Sequence, residues 1–129
     1  MKPYRPTPEE LAILVIILVQ RYSHERGRDV PRFRLARNSL RRLAIRDQLR
    51  DALVDDWTDV MALEHGWLVV RHEDYFLLLR AETTKTWTKI ATKRCDDLIK
   101  RLRSGDRSAV EDAEGEIEPR PESDESDED

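Results

Sequence analysis

The sequence predicts an α+β domain that is mostly helical: a three-helix core closed by a β-hairpin, then a C-terminal amphipathic helix and a disordered acidic tail. Three observations carry this. A helix start is written into Thr7-Pro8-Glu9-Glu10. The apolar stripe that begins at Leu40 changes sides near Ile45. The run LEHGWLVVRHEDYFLLLR, Leu63–Arg80, has the form of a helix end, a glycine stop and two strands joined by a tight loop.

The first helix is justified by its cap. Threonine accepts from free N–H groups, proline suits the first helical position, and Glu10 stands three residues after Thr7 to complete a capping box. The helix is expected from Pro8 to about Arg26, stopping before Gly27. Its run LAILVIILV is apolar on every side, so the rest of the domain wraps it or it forms a subunit contact. Gly27–Pro31 is a break, and Arg32–Ala36 reads as a short extended piece.

Asn38 and Ser39 are cap types for a helix beginning at Leu40. Leu40, Leu43 and Ala44 point one way. Ile45, Leu49, Leu53, Trp57 and Val60 point roughly 160–200° away at about 100° per residue. One straight helix cannot bury both stripes against one core, so two helices are expected with a turn near Ile45–Asp47 and Asp47 as the second cap. The second helix, Gln48–His65, ends at Gly66. Trp67–Val70 and Tyr75–Arg80 follow as strands around Arg71-His72-Glu73-Asp74, a loop short enough only for a hairpin. Both strands are apolar on both faces and need cover on each. A helix over Thr84–Arg103 would supply it through Trp87, Ala91, Cys95, Leu98 and Leu102.

Charge divides the chain. Residues 1–105 hold 21 Lys+Arg against 15 Asp+Glu, and residues 106–129 hold 2 against 12. That acidic end has too few apolar residues to bury, so the organisation expected is a domain over residues 1–104 and an unfolded tail over 105–129. The tail would keep the body soluble, fold back on its arginines or bind a basic partner. Ser126, followed by three acids, resembles an acidophilic kinase site.

The order helix, short strand, helix, turn, helix, hairpin resembles the winged helix-turn-helix superfamily. The resemblance rests on Leu63-Glu64-His65-Gly66-Trp67-Leu68-Val69-Val70-Arg71, which look like the passage from recognition helix to wing, and it covers roughly Thr7–Arg80. It implies DNA binding through Gln48–His65 and the Arg71–Asp74 loop. The residues depart from that pattern. Asp51, Asp55 and Asp59 follow one another at i+4 with Asp56 beside them, and Glu73 and Asp74 sit at the loop tip. Duplex DNA, with one negative charge per roughly 1.7 Å of axis, repels such a face.

The positive charge lies elsewhere. Ten arginines and no lysine fall between Arg21 and Arg50, and an arginine fork suits phosphate or carboxylate. Arg32, Arg34, Arg37, Arg41, Arg42, Arg46, Arg50 and Arg71 are the candidate nucleic-acid contacts. The first expectation is a dimeric DNA-binding regulator, pairing through its first and last helices, with little sequence specificity. The second is an adaptor or inhibitor of phage or mobile-element type, docking a basic protein through Asp51, Asp55, Asp59, Glu73 and Asp74. A solvated face whose arginines pair internally is the bland alternative.

Other chemistry is thin. Zinc wants four N or S ligands in close pairs, and one cysteine with the spaced His65 and His72 does not supply them. The aspartate row is a solvated or protein-binding face before it is a cation site. Cys95 falls on an apolar stripe as a small core residue. A base-stacking platform needs aromatics among the arginines, and only Tyr22 and Phe33 qualify. No phosphate loop, nucleophile elbow or acid pair is legible, so neither an enzyme nor a cofactor is expected. One cysteine, no secretory leader and an apolar run of nine residues, short of the roughly 20 that span a bilayer, give a soluble cytoplasmic reading.

Overall fold

The computed structural model describes residues 1–119. The chain divides into two compact units, Met1–Trp87 and Thr88–Asp129.

In the first unit, helix α1 spans Pro8–Arg26, and both arms of the Thr7–Glu10 capping box are present. It ends at Gly27, whose φ of 68° is the left-handed geometry a side chain resists. Strand β1 is Arg32–Ala36, α2 is Arg37–Leu43 and α3 is Asp51–His65. Gly66, at φ 71°, turns the chain into β2, Trp67–Arg71, and β3, Tyr75–Arg80. The strands form one antiparallel sheet in the order β1-β3-β2.

Alternation along the strands sets two faces. Phe33, Leu35, Phe76, Leu78, Trp67 and Val69 point to the helices and join Leu11, Val15, Leu40, Val54, Trp57 and Met61 in one core. Trp57 and Phe76 are fully buried and meet edge to face at 5.3 Å, fastening α3 to the central strand. Phe33 and Trp67 repeat the arrangement at 5.4 Å between the two outer strands. The other face carries Arg32, Arg34, Leu68, Val70, Leu77 and Leu79.

The two-helix reading of Leu40–His65 holds, with different caps. Asn38 and Ser39 lie inside α2, because Arg37 N–H already continues the β1–β3 ladder to Asp74 O at 2.9 Å and the helix starts there. Asp47 caps nothing. It lies in a seven-residue link, 44–50, anchored by buried Leu49, and α3 starts at Asp51 with Arg50 before it. Within that link Ile45 N–H donates to Arg42 O at 3.2 Å and Arg46 N–H to Arg41 O at 3.3 Å. These are the paired bonds of a Schellman stop. Ile45, at φ 54°, occupies the position that Gly27 holds after α1.

The continuous helix expected over Thr84–Arg103 does not form. A 3₁₀ segment covers Ala81–Thr86, another covers Thr92–Cys95, and only Asp96–Arg103 is α-helix, α4. Threonine explains the break. Thr83 and Thr84 turn their hydroxyls onto Arg80 O and Ala81 O, both at 2.7 Å, and such local bonds compete with a helix ladder. Trp87 and Cys95 are exposed, so neither is a core residue. On the apolar outer face of the sheet Leu68, Val70 and Leu77 are exposed.

In the second unit, α4 packs against a helix that the acidic composition had hidden, α5, Ser108–Glu114. Arg101 joins them, donating to Asp106 at 2.8 Å and Asp112 at 2.7 Å. Asp106 in turn accepts from the Ser108 hydroxyl at 2.6 Å and the Ser108 N–H at 3.0 Å. The acids beyond residue 119, with Ser126, lie outside the described residues. Among those described, no helix is long and apolar enough to cross a membrane.

Two tests follow from these turns. An isoleucine held left-handed costs about 1–2 kcal/mol, and glycine returns roughly 0.5–1 kcal/mol of that through the unfolded chain. Ile45→Gly should therefore raise stability by about 0.5–1 kcal/mol in urea unfolding. A loss would show that its half-exposed side chain matters more than its backbone. The Ser108 hydroxyl, then the Arg101 guanidinium, holds the Asp106 carboxyl down at about 2. A lowered folded value stabilises above the ordinary carboxylate range and is lost on acidification. Carboxyl NMR should show Asp106 ionised to about pH 2, with the α4–α5 contact loosening only as it titrates.

Candidate functional site

The eight arginines singled out in the sequence separate into three groups. Arg37, Arg41 and Arg46 are half-buried and turned inward. Arg37 donates to Leu49 O at 3.4 Å, and its guanidinium lies 5.8 Å from the Phe76 ring centre. Arg41 clasps Asn38 Oδ1 at 3.0 and 2.7 Å and reaches Arg46 O at 3.1 Å. Arg46 donates to Ala44 O at 2.9 Å and to Pro6 O at 3.1 Å, tying the link to the segment before α1. These forks occupy carbonyls that the α2 end and the link leave without helical partners. In this structure the three side chains clamp the α2–α3 reversal.

Arg32, Arg34, Arg42 and Arg50 are exposed and make no side-chain hydrogen bond among the described residues. Arg32 and Arg34 alternate along β1 and share the outer face of the sheet. Arg34 lies 5.0 Å from the centre of the Tyr75 ring, which stacks on His72 at 4.1 Å. Arg42 is on the outer side of α2, and Arg50 stands before the first turn of α3. Arg71, the eighth, ends β2 and is paired with Asp55 of α3. The expected nucleic-acid set and the expected protein-binding set thus meet at this contact.

The acidic set is otherwise free. Asp51, Asp56 and Asp59 are exposed on α3 with no ion pair among the described residues, and Glu73 and Asp74 are exposed at the hairpin tip. Leu63 continues their line one turn after Asp59 and is 85% exposed. The outward side of α3 therefore reads acid, acid, leucine. An open cleft of about 480 Å³ between α2, the link and the hairpin tip mixes the two signs, with Arg37, Arg41, Asp47 and Asp74 among its lining residues.

Two features escaped the sequence reading. Arg80 pairs with Asp29 through both nitrogens, at 2.8 and 3.0 Å, and lies 5.2 Å from the centre of the Trp67 ring. That hydrogen-bonded guanidinium lowers the Asp29 carboxyl from its ordinary value. The partners are 51 residues apart, and no local signal joins them. Leu63 was legible, as the one large apolar residue on the aspartate side of α3. Of the stacking candidates, Phe33 is half-buried against Trp67, and Tyr22 is exposed with Arg26 5.2 Å from its ring centre.

No family model, curated protein or solved structure matches the chain.

The clamps and the exposed pair should separate on mutation. Arg46→Ala, which strips carbonyls in a half-buried link, should cost about 1–2 kcal/mol in urea unfolding. Arg71→Ala, in an exposed pair, should change stability by less than about 0.5 kcal/mol. Equal losses would contradict the division.

Proposed function

We propose that this chain is a small winged-helix-like DNA-binding regulator that touches phosphates through Arg32, Arg34, Arg42 and Arg50. The observation that supports this most is the element order α1-β1-α2-α3-β2-β3 with strand order β1-β3-β2, joined to four exposed guanidiniums that make no side-chain hydrogen bond among the described residues. Phosphate contacts position a protein but carry no sequence information. With Asp51, Asp56 and Asp59 facing outward, α3 does not enter a groove, and recognition is weakly specific. The reading places the protein in the cytoplasm, acting as a homodimer.

A second reading has its own observation. The exposed acids of α3 in line with exposed Leu63 suit a basic partner that also offers an apolar contact. Under this reading the chain is an adaptor or inhibitor, and Asp55 is already spent on Arg71.

Salt separates the two. Four phosphate contacts should give a slope of log K against log salt of about −3.6, a loss of roughly 10²-fold between 50 and 200 mM. Arg32→Ala/Arg34→Ala should flatten that slope by about 1.8. Absence of duplex binding at low salt would overturn the first reading. Asp56→Lys/Asp59→Lys should leave or strengthen DNA binding if the first reading holds, and should abolish capture of a basic partner if the second does.

A further inference from the structure

Helix α1 has two apolar sides, and the fold uses one. Leu11, Ala12, Val15 and Val19 are buried in the core. Ile13, Leu14 and Leu18 on the other side are between 37% and 51% exposed, with half-buried Ile17 between them. A single exposed leucine needs no explanation. Large aliphatics at i, i+1, i+4 and i+5 form a continuous patch, and such patches mark contacts. No charged residue interrupts the helix from Leu11 to Gln20. Its charges sit at the ends, Glu9 and Glu10 in the first turn and Arg21, Glu25 and Arg26 towards the last, so the first end is acidic and the last is net basic.

We propose that a second copy of this chain covers that face, with the two α1 helices antiparallel about a twofold axis beside Val15 and Ile16. In this register Leu14 lies opposite the partner's Ile17 and Ile13 opposite the partner's Leu18. Glu10 comes opposite the partner's Arg21, so the acidic end of each helix meets the basic end of the other. A parallel pair would set glutamate against glutamate and arginine against arginine. The contact is isologous, each patch being its own complement, which closes the assembly at two. Opposed helix dipoles also favour this direction. The inference does not rest on nucleic-acid binding and stands or falls without it.

Sedimentation equilibrium of the full chain tests it. The expected mass is twice the 15.2 kDa of one chain. Ile13→Glu/Leu18→Glu should return it to one chain with unchanged circular dichroism, and Arg21→Glu should weaken association at least about tenfold, since 1.4 kcal/mol is one decade. If the double variant does not fold, Arg21→Glu alone decides, because Arg21 is exposed. In a Cys95→Ser background, oxidation of Ile13→Cys/Leu18→Cys should link position 13 of one chain to position 18 of the other. A monomer at all concentrations, a dimer indifferent to these changes, or links of 13 to 13 and 18 to 18 would each overturn the proposal.

Discussion

The backbone of Ile45 is left-handed, and the arrangement of charge on this molecule follows from that. A helix continuing from α2 through this point would carry Leu40 and Leu49, nine residues apart, to opposite sides at about 100° per residue and bury only one of them. Stopping α2 in a Schellman turn and resuming seven residues later lets Leu40, Leu49, Val54, Trp57 and Met61 share one core with the sheet. The stop is made by an isoleucine where a glycine would have been free of strain. Arg41 and Arg46 offset that cost by donating to carbonyls on both sides of the turn. The same reversal fixes which face of α3 looks outward, and that face is the one with the aspartates.

Two surfaces of opposite sign result, and they are less separate than a list of residues suggests. Three of the arginines are consumed in holding the reversal, so the basic surface is smaller than the composition implies. Asp55 and Arg71 cancel each other across α3 and β2. Of the candidate residues, those left exposed without an ion pair among the described residues include a pair of guanidiniums on β1, one on α2, one before α3, and an acidic row on α3 that ends in a bare leucine. A groove-reading helix in such a fold would present donors and basic groups to the duplex, and this α3 presents neither.

Much of the frame was legible in the sequence because its signals are local. Thr7, Pro8 and Glu10 announce α1, Gly27 and Gly66 stop helices, and two apolar runs around a four-residue loop place both hairpin strands. The switch of apolar side near Ile45 reveals two helices without saying how the turn is built. The caps differ because Asn38 and Ser39 fall inside a helix that has already begun at Arg37, and Asp47 lies three residues before Arg50, where α3 is entered. Arg37 N–H was already committed to Asp74 O at the hairpin tip, 37 positions away. The helix over Thr84–Arg103 failed for a reason present in the residues, since its threonines bond backward to their own backbone. Its apolar spacing hid this. Which arginines would clamp carbonyls and which would face water was not legible, because an arginine's partner is set by the fold and not by its neighbours in the chain.

The reversal itself can be observed directly by NMR in solution. Backbone carbon shifts across Arg37–His65 should be helical to Leu43, lose that character over residues 44–50 with Ile45 in left-handed geometry, and become helical again from Asp51. A nuclear Overhauser contact should join the Trp57 indole to the Phe76 ring. Unbroken helical shifts from Arg37 to His65, with no Trp57–Phe76 contact, would contradict the account at its root, because α3 could then neither reach the sheet nor hold its aspartates to solvent.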